Sequence, residues 1–141
     1  MIKTKDDKMN LLISIKPEFV NKIISNEKLY EFRKSIFKHE VDKIFIYSTY
    51  PVKKIVDYFE VGEIICESPH ELWNLFSEVS GISKKDFFKY YANSNEGFAI
   101  KIDNLHIFDE FIDMDKYDEF RAPQSFCYVE NNDCLKELLL V

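Results

Sequence analysis

The chain has 141 residues, 46% of them hydrophobic and 16% aromatic, and its formal net charge is −6. This length and composition predict one soluble globular domain and exclude extensive disorder. The sequence contains no apolar run of the roughly 18 residues that a membrane span needs. The charged stretch Met1 to Asn10 lacks the apolar core of a signal peptide, so we expect a cytoplasmic protein with no membrane partner.

The N-terminal part of the chain begins with a strand, a helix and a second strand. Pro17 suits the first turn of a helix, and the apolar residues that follow it have helical spacing. Asn26 tolerates a left-handed backbone and predicts a turn. The predicted ranges are Met9 to Lys16 for the first strand, Pro17 to Ser25 for the helix and Leu29 to Lys34 for the second strand.

The middle of the chain predicts two further strands, over Lys43 to Ser48 and over Lys53 to Cys66. Between them lies the segment Ser48-Thr49-Tyr50-Pro51, which ends the first of these strands because proline cannot continue a central ladder. Small hydroxyls and a tyrosine at a strand end fit either a ligand loop or a plain turn.

Two helices are predicted next, each preceded by a serine N-cap. Ser68 followed by Pro69 and Glu71 begins a helix to about Val79, and Ser83 begins one over Lys84 to Tyr91. The rest of the chain predicts strands over Gly97 to Ile102, Leu105 to Phe108 and Gln124 to Val129, with a turn at Asp103-Asn104. The acidic segment Asp109 to Glu119 predicts a solvated loop with a short helix, and the leucine-rich tail after Glu130 predicts a short helix that packs back or meets a partner.

These elements do not alternate regularly between strand and helix, which argues against a doubly wound parallel sheet. The pattern predicts an α+β protein, a small mixed β-barrel with short helices inserted. We expect an N-terminal tail over residues 1–9, one domain over residues 10–130 and a C-terminal tail over residues 131–141.

Charge is distributed unevenly along this chain. Lys16 to Lys54 contains nine lysines and arginines against five acids, whereas Ile55 to Val141 contains seven against eighteen. A locally basic face can therefore bind phosphate although the whole protein is acidic, with modest and salt-sensitive affinity.

Cysteines and histidines are few and scattered: Cys66, Cys127, Cys134, His39, His70 and His106. Their spacing matches no metal site, so we expect reduced thiols and neither a metal nor a cofactor.

The segment Asn26 to Arg33 carries the candidate chemistry. On a strand, Glu31 and Arg33 point to one face while Tyr30 and Phe32 point to the other. Lys28, at the turn into the strand, can reach the Glu31/Arg33 side as a mobile ammonium. The alternative is an ordinary surface ion pair worth roughly 0–1 kcal/mol.

The pattern Asn26-x-Lys28-x-x-Glu31-x-Arg33 resembles the Gly-x-Lys-x-x-Glu-x-Arg motif of the ASCH family, with asparagine in place of glycine. The Ser48-to-Pro51 loop and the segment Arg121 to Phe126 are also similar to members of this family. The resemblance covers roughly Asn10 to Val129. It implies a PUA-like barrel with a cleft beside the motif, and binding of RNA or nucleotides, sometimes with hydrolysis.

One subgroup with a similar motif removes acetyl groups from acetylated cytidine. That subgroup has threonine where Glu31 stands here, and it uses a second carboxylate, for which Glu78 is the nearest candidate by position. Three functions follow: binding of RNA or a modified nucleotide through a basic cleft, hydrolysis of a modified nucleoside or of RNA, and regulation through a protein partner at the acidic face or the C-terminal tail.

Candidate site residues follow from the motif and the two loops. Lys28 and Glu31 are the candidate catalytic pair. Lys28 would act as a base or nucleophile, and Glu31 would hold Lys28 in position or activate water. Arg33 is expected to clamp a phosphate or a base edge, and Tyr47, Tyr50 and Tyr128 offer stacking surfaces for an unpaired base. The ligand-binding residues predicted are Lys28, Glu31, Arg33, Ser48, Thr49, Tyr50, Gln124 and Ser125.

Overall fold

A computed structural model describes residues 8–140 of the chain. These residues form six strands and four short helices, together with three turns of 3₁₀ helix. In chain order the elements are β1 (Met9–Ile15), α1 (Pro17–Ile24), β2 (Tyr30–Arg33), β3 (Val41–Ser48), β4 (Lys54–Glu67), α2 (Pro69–Phe76), α3 (Lys84–Tyr90), β5 (Gly97–Asp113), β6 (Phe126–Tyr128) and α4 (Asp133–Leu139).

The strands follow the order β2-β5-β4-β3-β1-β6. The chain divides into two compact units, and the long strands β4 and β5 each contribute residues to both. The first unit comprises Met1–Pro17, Phe37–Glu60 and Asn104–Val141, so far as these are described. The second comprises Glu18–Ile36 and Val61–Asp103.

In the first unit, β1 lies between two partners. It runs parallel to β3, with Ile13 opposite Ile46, and antiparallel to β6, with Ile13 opposite Phe126. The buried core of this unit contains residues of three strands, of two 3₁₀ turns and of α4: Leu12, Phe45, Tyr47, Ile55, Met114, Val129 and Leu135. Leu135 is completely buried, so the leucine-rich C-terminal segment packs back on its own unit.

In the second unit, β2 pairs antiparallel with β5, with Glu31 opposite Ile100. The serine caps predicted from sequence are present, because the Ser68 and Ser83 hydroxyls accept hydrogen bonds from Glu71 N and Asp86 N. Ring contacts dominate the packing, and Phe32 meets Phe87 edge-to-face with ring centroids 5.3 Å apart. The core consists of Phe32, Leu72, Phe87, Tyr91 and Ala99.

The α+β class is confirmed, and most element boundaries lie within two residues of the predicted ones. Two predictions were wrong, because β5 continues without a break to Asp113. Asp103-Asn104 does not separate two strands, and residues 109–113 of the acidic segment are strand and not loop. Asn104 adopts a left-handed φ of 49° within β5, which accommodates the expected turn residue without ending the strand. The helix expected to reach Val79 changes to a 3₁₀ turn after Phe76. Across residues 8–140, no helix has the length and apolarity to cross a bilayer.

Candidate functional site

The turn between α1 and β2 sets the position of Lys28. Asn26 has a φ of 66°, the left-handed conformation that the sequence predicted for it. The amides of Glu27 and Lys28 both donate to the carbonyl of Lys22 in the last turn of α1, at 2.9 and 3.0 Å. Leu29 N then donates to Val79 O, so the backbone on both sides of Lys28 is fixed by hydrogen bonds.

Lys28 is buried, with only 4% of its surface exposed. Its ammonium donates to Ser80 O at 3.0 Å, lies 3.6 Å from Glu31 Oε1 and sits 4.8 Å from the centroid of the Phe32 ring. Burial lowers the pKa of Lys28, and the nearby Glu31 carboxylate opposes that shift. The expectation of a mobile ammonium was therefore wrong: this side chain is held in place by a carbonyl, a carboxylate and a ring.

Glu31 and Arg33 share one face of β2, as the alternation predicted. Arg33 Nη2 donates to Glu31 Oε2 at 3.0 Å, while the second carboxylate oxygen, Oε1, accepts from Phe32 N at 3.2 Å. The Glu31 side chain is 8% exposed and that of Arg33 is 15% exposed. The surface ion pair considered as the alternative is thus excluded, and Arg33 is the member of the set that reaches furthest toward solvent.

Gly81 packs directly against Lys28. A Cβ added at Gly81 would lie 2.6 Å from Lys28 Cβ, and the glycine has a φ of +66°. Its carbonyl accepts from Lys22 Nζ at 3.1 Å, so the successive carbonyls of Ser80 and Gly81 each hold one lysine. We call Ser80 and Gly81 the lysine strap.

Tyr91 contacts the C-terminal end of β2. Its hydroxyl donates to Arg33 O at 3.0 Å, and burial raises its pKa. Tyr90, the neighbouring residue, is partly exposed, and Lys34 Nζ sits 4.7 Å from the centroid of its ring. The sequence did not predict an exposed ring at Tyr90. α3 contains several aromatic residues, and their spacing does not show which of them is exposed.

The other predicted ligand residues lie in the first unit, around the end of β1. Thr49 N donates to Ile15 O at 3.1 Å, and Ser14 N donates to Ser125 O at 3.1 Å. Because β1 lies between β3 and β6, the structure brings the Thr49 loop and the Ser125 segment to the same end of that strand. Ser48 is buried, whereas Gln124 is exposed.

Of the three tyrosines proposed as stacking surfaces, Tyr50 is the most open to solvent. Tyr50 is 79% exposed, and it precedes Pro51 through a cis peptide bond. Tyr47 is buried in the core of the first unit, which raises its pKa, so its predicted stacking role was wrong. Tyr128 is partly exposed, and its hydroxyl accepts from the amides of Lys38 and His39. The stacking role of Tyr128 stays a prediction.

Metal ligands do not cluster in the described part of the chain, where no group of three or more His, Cys, Asp or Glu side chains could hold an ion. The chemistry available at Lys28, Glu31 and Arg33 is that of fixed charges and hydrogen bonds: a carboxylate flanked by two cations, with one guanidinium near the surface.

No protein-family model matches the chain. A crystal structure of ASCH from Zymomonas mobilis has a TM-score of 0.83 to it, at 24% identity and with 95% of each chain covered. The ASCH domain-containing ribonuclease of Zymomonas mobilis subsp. mobilis is 27% identical over 135 residues, which cover 92% of this chain and 90% of that protein. The chain has the fold of that ASCH structure. The small α+β, PUA-like fold expected from the motif agrees with that likeness.

A second relative is a much longer protein. The ATP synthase subunit alpha of Ureaplasma parvum serovar 3 is 26% identical over 125 residues, 88% of this chain. The chain spans only 16% of the length of that protein. The similarity is therefore to one segment of it.

Proposed function

We propose that this chain binds single-stranded RNA, with Arg33 contacting a phosphate and with Glu31 and Lys28 holding Arg33 in place. The observation that carries the proposal is the burial of the Lys28–Glu31–Arg33 set, in which Arg33 alone approaches the surface. The relative named a ribonuclease, which this chain matches over nearly its whole length, supports RNA as the ligand class.

The geometry suits Arg33 to this role. A guanidinium presents its donors in a rigid planar fork that matches phosphate oxygens. The bond from Nη2 to Glu31 Oε2 fixes the plane of that fork before a ligand arrives. A preorganised cation loses less side-chain entropy on binding than a free surface lysine does.

Lys28 acts through Glu31 in this proposal. Its ammonium is too deeply buried to meet a polymer directly, but its contact with Glu31 Oε1 holds that carboxylate in place. The predicted residues of the first unit are a separate expectation. The exposed ring of Tyr50 can stack on an unpaired base, and Thr49, Gln124 and Ser125 can supply polar groups, whereas Ser48 is buried.

The test is equilibrium binding of a fluorescent single-stranded RNA at several salt concentrations. We expect Arg33→Ala to weaken binding about tenfold at low salt and to reduce the salt slope by about one. Lys136→Ala, which removes the same charge from the exposed face of α4, is the matched control and is expected to have a small effect. Equal losses in both variants, or no RNA binding by the unmodified protein at low salt, would overturn the proposal.

RNA hydrolysis is the second candidate. Two observations favour it over hydrolysis of acetylated cytidine: the ribonuclease name of the relative, and Glu31 at the place where the cytidine-specific subgroup has threonine. A lysine whose pKa is lowered beside a carboxylate is a possible base once a ligand opens the site.

Cleavage of an end-labelled RNA by purified protein tests this second candidate. Loss of cleavage in Lys28→Met, with RNA binding retained, would establish catalysis at Lys28. Cleavage that persists in Lys28→Met would exclude Lys28 as the catalytic group.

A further inference from the structure

An open pocket of about 540 Å³ lies within the second unit, beside the lysine strap. Its walls come from Lys22 at the end of α1, from the turn Asn26 and Glu27, and from residues 77–83. This volume is in the range of pockets that hold small ligands or one residue of a polymer. Among its lining residues, Glu78 is the candidate second carboxylate of the cytidine-specific subgroup, and the proposed RNA binding does not use the pocket.

The lining of the pocket is polar and carries charges of both signs. Lys22 contributes one ammonium, whereas Glu27 and Glu78 contribute two carboxylates. Asn26, Ser77 and Ser83 add an amide and two hydroxyls, and none of the lining residues is aromatic. A free anion is disfavoured because the acids outnumber the lysine, and a nucleobase would find no ring on which to stack.

Ionised carboxylates only accept hydrogen bonds, so the occupant has to bring donors. A sugar meets these requirements, because its hydroxyls can donate to Glu27 and Glu78 and accept from Lys22 or Asn26. The phosphodiester attached to that sugar would be tolerated at the open side of the pocket, whereas a free phosphate inside it would face two acids.

The lysine strap links this pocket to the Lys28–Glu31–Arg33 set. Lys22, in the pocket wall, holds the carbonyl of Gly81, and Lys28 holds the carbonyl of Ser80. The two carbonyls belong to adjacent residues of the chain. The same short backbone segment therefore contacts both the pocket wall, through Lys22, and the Lys28–Glu31–Arg33 set, through Lys28.

We infer that this pocket holds a ribose of the bound RNA and that one of its two carboxylates, Glu27 or Glu78, accepts the hydrogen bond of the 2′-hydroxyl. The inference rests on the proposed RNA binding and extends it. The 2′-hydroxyl distinguishes RNA from DNA, so this hydrogen bond makes the domain selective for RNA over DNA of the same sequence.

Binding of three matched oligonucleotides of one sequence tests the inference: RNA, DNA and 2′-O-methyl RNA. The unmodified protein is expected to bind RNA about tenfold more tightly than DNA, as one hydrogen bond to a charged acceptor allows. The 2′-O-methyl RNA lacks the donor and should bind like DNA. The ratio of RNA affinity to DNA affinity should fall toward one in Glu78→Gln or in Glu27→Gln, whichever removes the carboxylate that accepts this hydrogen bond.

Glu63→Gln is the control, since Glu63 is exposed on β4 and does not line the pocket. Removing any acid raises affinity for RNA and DNA alike, but only the pocket variants should change the ratio between them. An RNA preference that survives in both pocket variants would overturn the inference, as would Arg33-dependent RNA binding with no 2′-hydroxyl preference. Absence of any RNA binding would instead show that the proposed function itself had failed.

Discussion

Lys28 and Glu31 meet inside the second unit, with Nζ 3.6 Å from Oε1 and both side chains less than a tenth exposed. They stand three positions apart in sequence, yet Lys28 is also held by the backbone carbonyl of Ser80, fifty-two residues further along the chain. A buried pair of this kind is sensitive to the loss of one partner, because the remaining charge keeps its desolvation cost.

Lys28→Met is expected to lower the free energy of unfolding by about 3 kcal/mol, since it leaves Glu31 with one cationic partner instead of two. Methionine keeps most of the apolar stem, so lost packing contributes little. Urea denaturation measures the change. Lys22→Met, at a partly exposed lysine of the same unit, is the comparison, and a loss as large as that in Lys28→Met would contradict the role of the buried pair.

The lowered pKa of Lys28 also predicts a pH dependence. Between its folded value and the ordinary 10.5, the unfolded chain binds more protons at this residue than the folded protein does. The contribution of Lys28 to stability therefore rises with pH through that window. Stability of the unmodified protein minus that of Lys28→Met should increase as pH approaches 10.5, and a flat difference would show that the pKa is not lowered.

Gly81→Ala is expected to destabilise the protein by about 1–3 kcal/mol and to weaken RNA binding. The new Cβ would collide with the side chain of Lys28, and the φ of +66° disfavours any residue with a Cβ. Gly62→Ala is the control, because its nearest contact is the carboxylate end of Asp103, which can move aside. Thermal unfolding and RNA titration of both variants measure the effects, and equal behaviour would argue against close packing at Lys28.

Asp57 is completely buried on β4, opposite Ile46, and no donor within residues 8–140 reaches either of its carboxylate oxygens. Burial raises its pKa from 3.8 to about 7. The folded protein therefore binds more protons than the unfolded chain between these values, and stability falls as pH rises through this window. The full pKa shift of Asp57 corresponds to a decrease on the order of 4 kcal/mol in the free energy of unfolding by pH 8.

Asp57→Asn removes this titration. The variant should lose less stability than the unmodified protein between pH 4 and pH 8, as followed by urea denaturation at intervals of pH. Parallel curves for the two proteins would show that Asp57 is ionised throughout, with a partner that the fold supplies.

The sequence predicted the features that depend on neighbours in the chain. Alternation placed Glu31 and Arg33 on one face of β2, and serine followed by an acid at the third position predicted the caps at Ser68 and Ser83. Asn26 adopts the left-handed turn expected of it because that preference belongs to the residue itself.

Features that depend on distant contacts were not predictable in this way. The burial of Lys28 requires the lysine strap, which no local pattern connects to the motif. Asp57 stands in an ordinary strand pattern and only the packing of the first unit buries it. Asn104 looked like a strand end, but pairing of β5 overrode the local preference for a turn.

The most direct test of the central claim, that the Lys28–Glu31–Arg33 set meets a ligand, is a crystal structure of the protein with a short single-stranded RNA bound. The account predicts a phosphate within about 3 Å of the Arg33 guanidinium, with Glu31 still bonded to that side chain. RNA located on another surface, with no contact to Arg33, would contradict it.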